Sequence, residues 1–254
     1  MSGAISFELD GRSVEAQPGE SIWDAARRVG TDIPHLCHKP SPDYRADGNC
    51  RACMVEIEGE RVLAASCKRA PTPGMKVKSA SDRAVKARAM VMELLVADQP
   101  ARAAAPDPLS HFWMQAERAG VTASRFPSRE RLATDASHPA MRVNLDACIQ
   151  CGLCLRGCRE VQGNDVIGMA WRNAGVKIVF DFDDAMGAST CVACGECVQA
   201  CPTGALMQAS LLDSAGKRTV YPERSVETVC PYCGVGCQTR VGVKDERIVV
   251  VDGR

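Results

Sequence analysis

The stretch CIQCGLCLRGC, residues 148–158, sets the architecture of this chain together with its near copy CVACGECVQACP, residues 191–202. Each run has the spacing C-x2-C-x2-C-x3-C, and only the second ends in proline. Cysteines two apart on a tight loop can turn their thiolates toward one point, and Gly152 and Gly195 let the backbone approach that point closely. Because thiolates bind metals, the two runs predict metal centres built from cysteine.

Composition narrows the class of protein. The chain has 254 residues with 15 cysteines, and its first twenty residues lack the apolar core of an export signal, which argues for metal binding over disulfides. Lys+Arg and Asp+Glu balance at 31 each and aromatic residues make up 4%, so no nucleic-acid partner is expected. The apolar stretch 90–97 is much shorter than the ~20 residues of a membrane span. We therefore expect a cytoplasmic protein with no membrane partner.

The two central runs resemble those of two-cluster ferredoxins, in which the fourth cysteine of each run ligates the other cluster. The resemblance implies two 4Fe–4S clusters with crossed ligands. One would be held by Cys148, Cys151, Cys154 and Cys201, and the other by Cys191, Cys194, Cys197 and Cys158. The alternative, structural zinc in four-cysteine sites, is disfavoured by two adjacent copies of this pattern.

A third group of cysteines precedes these runs, at Cys37, Cys50, Cys53 and Cys67. A long first gap, a C-x2-C pair and a distant fourth cysteine resemble the 2Fe–2S site of plant-type ferredoxins, although the first gap here is 12 residues and not four. The group is more similar to the N-terminal ferredoxin domain of the large subunits of complex I, iron-only hydrogenases and NAD-linked formate dehydrogenases. That resemblance implies one 2Fe–2S cluster, with zinc as the alternative.

Local patterns around this group predict a small β-grasp domain. Residues 4–16 read as two strands around Asp10-Gly11, a strong hairpin signal. A helix follows, with Ser21 as N-cap and Gly30 as the C′ residue. Residues 54–67 read as a second hairpin.

Residues 79–140 lack any cysteine. Residues 81–97 read as a helix capped by Ser81, with Val85, Met92 and Leu95 on its apolar stripe. In the large subunits named above, this connector often carries a cube held by one histidine and three cysteines. The stretch ADQPARAAAPDPLSHFWMQAERAG, residues 97–120, has His111 but no cysteine, so that cluster is predicted to be absent. His35 and His38 flank Cys37 and are expected to be loop residues near the cluster.

The last cysteines lie in VCPYCGVGCQ, residues 229–238, at Cys230, Cys233 and Cys237. The stretch resembles the start of the catalytic domain of molybdenum- or tungsten-bis-pterin oxidoreductases, above all formate dehydrogenases. That resemblance implies a third 4Fe–4S cluster whose fourth ligand lies beyond the chain. The alternatives are a cube with an open iron, a three-iron cluster, or no metal.

The expected fold class is α+β with four segments. Residues 1–78 form a β-grasp 2Fe–2S ferredoxin domain, and residues 79–140 a helical connector. Residues 141–215 form a two-cluster 4Fe–4S ferredoxin domain that includes a strand-rich insertion, and residues 216–254 begin a molybdopterin-oxidoreductase 4Fe–4S domain with a turn near Lys244-Asp245.

The resemblance implies an electron relay within a cytoplasmic NAD-dependent formate dehydrogenase. Formate would be oxidised at a molybdenum or tungsten bis-pterin in the remainder of the catalytic subunit. Electrons would leave through a partner diaphorase subunit carrying FMN and NAD. No nucleotide-binding or catalytic motif stands in this chain, so no residue is assigned a catalytic role.

Three alternatives stay open. They are a diaphorase or small subunit of an NAD-reducing hydrogenase or complex I, a stand-alone multi-cluster ferredoxin, and a zinc-binding interaction module. Three arginines adjoin cluster ligands and either tune cluster potentials or are solvated surface residues; they are Arg51, Arg156 and Arg159.

Overall fold

The N-terminal hairpin forms as the sequence predicts. The computed structural model describes residues 4–254. In it, β1 (Ile5–Leu9) pairs antiparallel with β2 (Arg12–Ala16). Asp10 and Gly11 have φ values of 51° and 80°, the left-handed pair that a tight two-residue hairpin needs.

The first domain is built on a five-stranded sheet with the order β2-β1-β5-β3-β4. Its further strands are β3 (Met54–Ile57), β4 (Ala64–Ala65) and β5 (Lys76–Lys78). β1 and β5 run parallel, and the other pairs are antiparallel. The antiparallel pairing of β3 with β4 confirms the second predicted hairpin. With the helix α1 (Ile22–Arg28) packed on it, this arrangement is the predicted β-grasp fold.

The helix α1 has the predicted caps. The Ser21 side chain accepts a hydrogen bond from the Asp24 N–H, and the Asp24 carboxylate accepts one from the Ser21 N–H, which completes a capping box. Gly30 follows the C-terminal cap with a φ of 82°. These caps orient the chain that leads into the loop carrying Cys37.

The connector contains two helices, which together form less than half of its length. The helix α2 (Asp82–Ala97) begins after Ser81, and α3 (His111–Arg118) packs against its later turns through Met92 and Trp113. Of the residues expected on the apolar stripe of α2, Met92 is buried, whereas Val85 is 47% exposed. The helix α2 also packs against β3, and Ala84 in its first turn is fully buried, so Val85 lies on a side of the helix that neither β3 nor α3 covers.

The two central runs share one core. β6 (Met141–Val143) pairs with β9 (Leu206–Gln208) and joins the ends of the segment, and β7 (Ile167–Ala170) pairs with β8 (Lys177–Phe180) in the predicted strand-rich insertion. The helix α4 (Leu153–Arg156) continues into one π-helical turn, and α5 (Glu196–Ala200) lies beside it. The cysteines are therefore held between short helices and short strands.

The last three strands, within residues 224–253, form an antiparallel sheet. Its strands are β10 (Arg224–Val229), β11 (Gln238–Lys244) and β12 (Arg247–Gly253), with a tight turn at residues 245–246. The sheet adjoins the central segment, where the Gln208 amide donates a 2.9 Å hydrogen bond to Asp252. Among residues 4–254, no helix is both long and apolar enough to cross a membrane.

Candidate metal centres

The first central site unites cysteines from both runs. One small enclosed space is lined by the sulfur-bearing residues Cys148, Cys151, Cys154 and Cys201. Apolar side chains, among them Ile178 and Leu206, complete its wall. The fold thus brings Cys201 to the three cysteines of the other run, as the resemblance to two-cluster ferredoxins predicts. That these four residues bind a cluster stays a prediction.

The second site is the counterpart of the first. Its lining includes Cys191, Cys194, Cys197 and Cys158, with Phe180 and Met186 beside them. Cys158 comes from the first run and reaches this site through the π-helical turn at residues 157–161. Such turns insert one extra residue into a helix, and they occur frequently at functional sites.

The backbone explains why both runs need this spacing. Gln150 and Ala193 have φ values of 55° and 59°, and the glycines two positions later have 73° and 78°. These left-handed turns direct N–H groups at sulfur. The N–H groups of Gln150 and Ala193 each lie 3.4 Å from the sulfur of the first cysteine of their run. Hydrogen bonds to sulfur are one means by which a protein sets a cluster potential.

The thiols of the two sites fit a metal centre. Burial raises the pKa of Cys148 to about 11 and that of Cys197 to about 12, and it also raises the pKa of Cys154. Such thiols stay protonated at neutral pH unless a cation replaces the proton, as iron does. Among residues 4–254, no three or more His, Cys, Asp or Glu side chains form a group that could hold a single metal ion.

The cysteines of the first domain also converge. The Cys37 N–H lies 3.4 Å from the Cys50 sulfur, the Cys50 N–H lies 3.5 Å from the Cys37 sulfur, and the sulfurs of Cys53 and Cys67 are 3.4 Å apart. Hydrogen bonds from Cys50 and Cys67 lower the pKa of Cys37, whereas hydrogen bonding to Cys37 is the main cause that raises the pKa of both partners. Four sulfurs that share protons in this way suit a centre that replaces those protons with iron.

The third group of cysteines is more open. Cys230 is half-buried directly after β10, while Cys233 and Cys237 are exposed in the loop before β11. A 2.8 Å hydrogen bond from the Cys230 N–H to the Cys237 carbonyl closes this loop. The loop thus brings the backbone of Cys237 back to that of Cys230, and a cluster held by Cys230, Cys233 and Cys237 stays a prediction.

The histidines near Cys37 are packing residues. His35 and His38 pack edge-on against Trp23, with ring centroids 4.6 and 4.7 Å from its own. The His111 ring lies 4.8 Å from that of His35 and makes a 2.7 Å hydrogen bond to the His35 carbonyl. Burial and the neighbouring histidines lower the pKa of His35 to about 4, so it is neutral at pH 7. His111 thus supports the Cys37 loop from the connector.

The three arginines beside ligands have different environments. Arg51 is exposed, and Arg159 is exposed with an ion pair to Asp165. The alternative of a solvated surface residue therefore fits these two. It is wrong for Arg156, whose side chain is 1% exposed and lies between the first domain and the first central site. Only the folded chain reveals this, because the residues around Arg156 come from distant parts of the sequence.

Two further contacts of ligand residues lack a signal in the sequence. Arg129, in the connector, donates hydrogen bonds of 2.6 and 3.1 Å to the carbonyls of Leu145 and Cys148. Asn49, next to Cys50, donates a 3.2 Å hydrogen bond to the Cys151 carbonyl. Both hold the backbone of the first central run, and neither belongs to a spacing that marks a metal site.

Three domain families match the chain in the order that the sites predict. A 2Fe-2S iron-sulfur cluster binding domain matches residues 2–82, a 4Fe-4S dicluster domain residues 147–205, and a molybdopterin oxidoreductase Fe4S4 domain residues 223–254. The chain is an iron–sulfur region of an oxidoreductase subunit. The predicted α+β fold class and the order of its domains are thereby confirmed.

The alignments with curated relatives extend over almost the whole iron–sulfur region. A subunit of an NADH-quinone oxidoreductase from Rhizobium meliloti is 31% identical over 94% of this chain, and a subunit of an NADP-reducing hydrogenase from Solidesulfovibrio fructosivorans is 31% identical over 87%. A putative formate dehydrogenase of Bacillus subtilis is 27% identical over 98%. This chain covers 28%, 39% and 29% of these relatives, so it corresponds to only part of each.

A solved structure has a similar fold and a similar length. One chain of the crystal structure of an NAD+-reducing NiFe-hydrogenase in the H2-reduced state aligns with a TM-score of 0.72 and 29% identity. The alignment covers 84% of the iron–sulfur region and 92% of the hydrogenase chain. The iron–sulfur region thus shares its fold with a chain of an NAD-linked oxidoreductase.

Proposed function

We propose that this iron–sulfur region relays electrons within a cytoplasmic, NAD-linked formate dehydrogenase that contains molybdenum or tungsten bis-pterin. The observation that carries the proposal is the molybdopterin-type Fe4S4 match at residues 223–254, directly after the dicluster domain. The putative formate dehydrogenase of Bacillus subtilis supports it, because its alignment extends over 98% of the chain. The domains proposed are residues 1–78, 79–140, 141–215 and 216–254.

The cysteines have distinct places in this proposal. Each bound centre would accept and release one electron at a time. The ligands of the 2Fe–2S centre are Cys37, Cys50, Cys53 and Cys67. Those of the two 4Fe–4S centres are Cys148, Cys151, Cys154 and Cys201, and Cys191, Cys194, Cys197 and Cys158. A third 4Fe–4S centre would use Cys230, Cys233 and Cys237 with a ligand outside this chain.

The remaining residues of the sites place the thiolates and limit the access of water. The first two cubane sites are enclosed by apolar side chains, which lowers the local dielectric constant and makes nearby charges and dipoles more effective. The N–H groups of Gln150, Ala193 and Val166 point at cysteine sulfurs and favour the reduced state. Partners are the remainder of the catalytic subunit and a diaphorase subunit with flavin and NAD.

A second candidate is the small diaphorase subunit of an NAD-reducing hydrogenase. The hydrogenase chain with TM-score 0.72 favours it, since 92% of that chain is covered. The two candidates share the 2Fe–2S centre and the paired cubes, and they differ in the role of residues 223–254. In the first candidate these residues start a pterin domain, and in the second they are an added segment.

Measurements on the polypeptide, isolated from its native host with its natural partners, would decide between the two candidates. The test measures its intact mass, its molybdenum and tungsten content, and NAD+ reduction with formate or with hydrogen as donor. We expect a mass well above 27.2 kDa, bound molybdenum or tungsten, and NADH formation from formate only. NADH formation from hydrogen only, without either metal, would replace the first candidate by the second. A protein that contains zinc and no iron would refute both.

A further inference from the structure

Arg156 is an arginine with almost no contact with solvent. Its side chain is 1% exposed, although it stands between two cysteine ligands of the first central run, Cys154 and Cys158. Arg159, three residues later, has a side chain that is 50% exposed. Burying a guanidinium is costly unless its donors are paired, so its contacts identify what the charge is for.

The contacts of Arg156 join two predicted centres. Its Nη2 donates a 2.8 Å hydrogen bond to the carbonyl of Cys37 and a 3.2 Å hydrogen bond to the carbonyl of Cys151. Cys37 is a predicted ligand of the 2Fe–2S centre, and Cys151 is a predicted ligand of the first 4Fe–4S centre. One nitrogen atom therefore bridges the ligand loops of both centres, although Cys37 lies 119 positions before Arg156 in the sequence.

The rest of the guanidinium is also paired. Its Nη1 donates to the Arg45 carbonyl, and its Nε lies 3.3 Å from both the Gly152 carbonyl and the Asp47 carboxylate. Asp47 also pairs with Arg45, which in turn pairs with Glu160 at the surface. Two arginines and two carboxylates thus form one series of ion pairs, in which Arg156 is the buried member that contacts both ligand loops and the other three side chains are more exposed to solvent.

We propose that Arg156 is a positioning residue that holds the 2Fe–2S loop against the first 4Fe–4S site and raises the reduction potential of both centres. The inference rests on the proposed electron relay, because it assumes that the two centres are present. Adding an electron to either centre adds negative charge beside a fixed cation in a region shielded from water. The attraction is stronger there than at a solvated position, so the reduced form of each centre is favoured.

Three variants of the full-length protein, isolated with its partners, test this assignment. R156Q removes the charge, and R156K keeps a charge without the planar fork. R159Q removes an exposed charge directly after the same run and serves as the matched control. Redox titrations followed by EPR give the midpoint potentials of the 2Fe–2S centre and of the cubes, and iron analysis verifies that the centres are loaded.

In R156Q we expect the equilibrium constant for one-electron reduction to fall at least tenfold at the 2Fe–2S centre and at one cube. For a one-electron couple, a tenfold change is about 59 mV. The other cube should change no more than it does in R159Q. In R156K the potentials should stay closer to those of the unmodified protein, while the magnetic interaction between the reduced 2Fe–2S centre and its neighbour weakens because the fork no longer joins the loops.

Other results would overturn the assignment. Potentials that move no more in R156Q than in R159Q would exclude a role for the buried charge, and equal shifts at all centres would indicate a general disturbance. If R156Q does not retain its clusters, the assignment depends on R156K, and an unchanged magnetic interaction there would refute the positioning role. An unmodified protein without a 2Fe–2S signal would instead refute the proposed relay.

Discussion

Tyr44 donates a 2.7 Å hydrogen bond to the carboxylate of Glu196, although 152 positions separate the two residues. The same carboxylate oxygen forms an ion pair with Lys39, whose Nζ lies 2.7 Å away. Glu196 begins the helix α5 next to Cys197, and Tyr44 lies in the loop between Cys37 and Cys50. The first domain therefore contacts both central sites, one through Arg156 and the other through this polar cluster.

The Tyr44 hydroxyl makes the stability of the protein depend on pH in the alkaline range. Burial, followed by the hydrogen bond to Glu196, raises the pKa of Tyr44 above its usual value of 10.0. Since the folded pKa is the higher one, the stabilisation is present below pH 10 and declines as the unfolded chain loses its proton. Between pH 8 and pH 10.5 the free energy of unfolding of the unmodified protein should decrease by about 0.8 kcal/mol more than that of the Tyr44→Phe variant.

Urea unfolding at the two pH values measures this difference. Tyr232→Phe is the matched control, because Tyr232 is 88% exposed. It should show the same pH dependence as the unmodified protein. A Tyr44→Phe variant with an equal loss would show that Tyr44 ionises as freely in the folded protein as in the unfolded chain.

Gly157 has no room for a side chain. A Cβ atom there would lie 2.5 Å from the Tyr44 hydroxyl and 3.1 Å from Cγ of Glu196. We expect Gly157→Ala to destabilise the loaded protein by about 1–2 kcal/mol, because the cost of overpacking exceeds the gain from removing a helical glycine. The measurement is the free energy of unfolding in urea.

Gly175→Ala is the control for this substitution, since nothing lies within 4 Å of its Cβ position. It should leave the free energy of unfolding almost unchanged. In a Tyr44→Phe background the cost of Gly157→Ala should decrease, because the clashing oxygen is gone. An equal cost in both backgrounds would place the origin of the effect elsewhere.

Crossed ligation is the most direct prediction about the centres. Cys201→Ser should disturb the cube held by the first run, and Cys158→Ser should disturb the cube held by the second run. Oxygen is a poorer ligand than thiolate for these clusters, so each variant should lose or alter one 4Fe–4S signal and retain the other.

EPR of the reduced variants, together with iron analysis, distinguishes the two cubes. The double variant Cys201→Ser/Cys148→Ser should alter the same single signal as Cys201→Ser, since both residues line the first site. Loss of both signals in that double variant would contradict the crossed arrangement, and so would a pattern in which Cys201→Ser and Cys191→Ser alter the same one.

The capping box of α1 predicts a local effect on stability. Ser21→Ala removes the acceptor for the Asp24 N–H, and it should cost about 1 kcal/mol of unfolding free energy. Ser21→Thr keeps a hydroxyl and should restore most of this stability. The measurement is the urea midpoint of the loaded protein, and an unchanged midpoint in Ser21→Ala would mean that the sheet alone holds α1 in place.

Much of the local structure could be predicted because it depends on neighbours in sequence. The Asp10-Gly11 turn, the caps Ser21 and Gly30, and the turn after Lys244 all form where their residue types predict them. Each needs only a preferred backbone conformation or a hydrogen bond over a few residues. Val85 could not be placed in this way, because its exposure depends on which sides of α2 the strand β3 and the helix α3 cover.

Cysteine spacing predicted that the first three cysteines of each run turn toward one point, whereas the resemblance to two-cluster ferredoxins implied that the fourth joins the other run. The distance between cysteines along a tight loop restricts where their sulfurs can point, and this restriction survives in any fold that keeps the loop. The environment of each site depended on tertiary structure. The sequence left open that Arg156 is a surface residue. Nothing in the stretch CLRGC, residues 154–158, indicates that Cys37 and Asp47 pack over this side chain from another domain. Burial and long-range contacts arise only when separate segments pack, so the position of Arg156 between the first two predicted centres was decided by the tertiary structure and not by any motif.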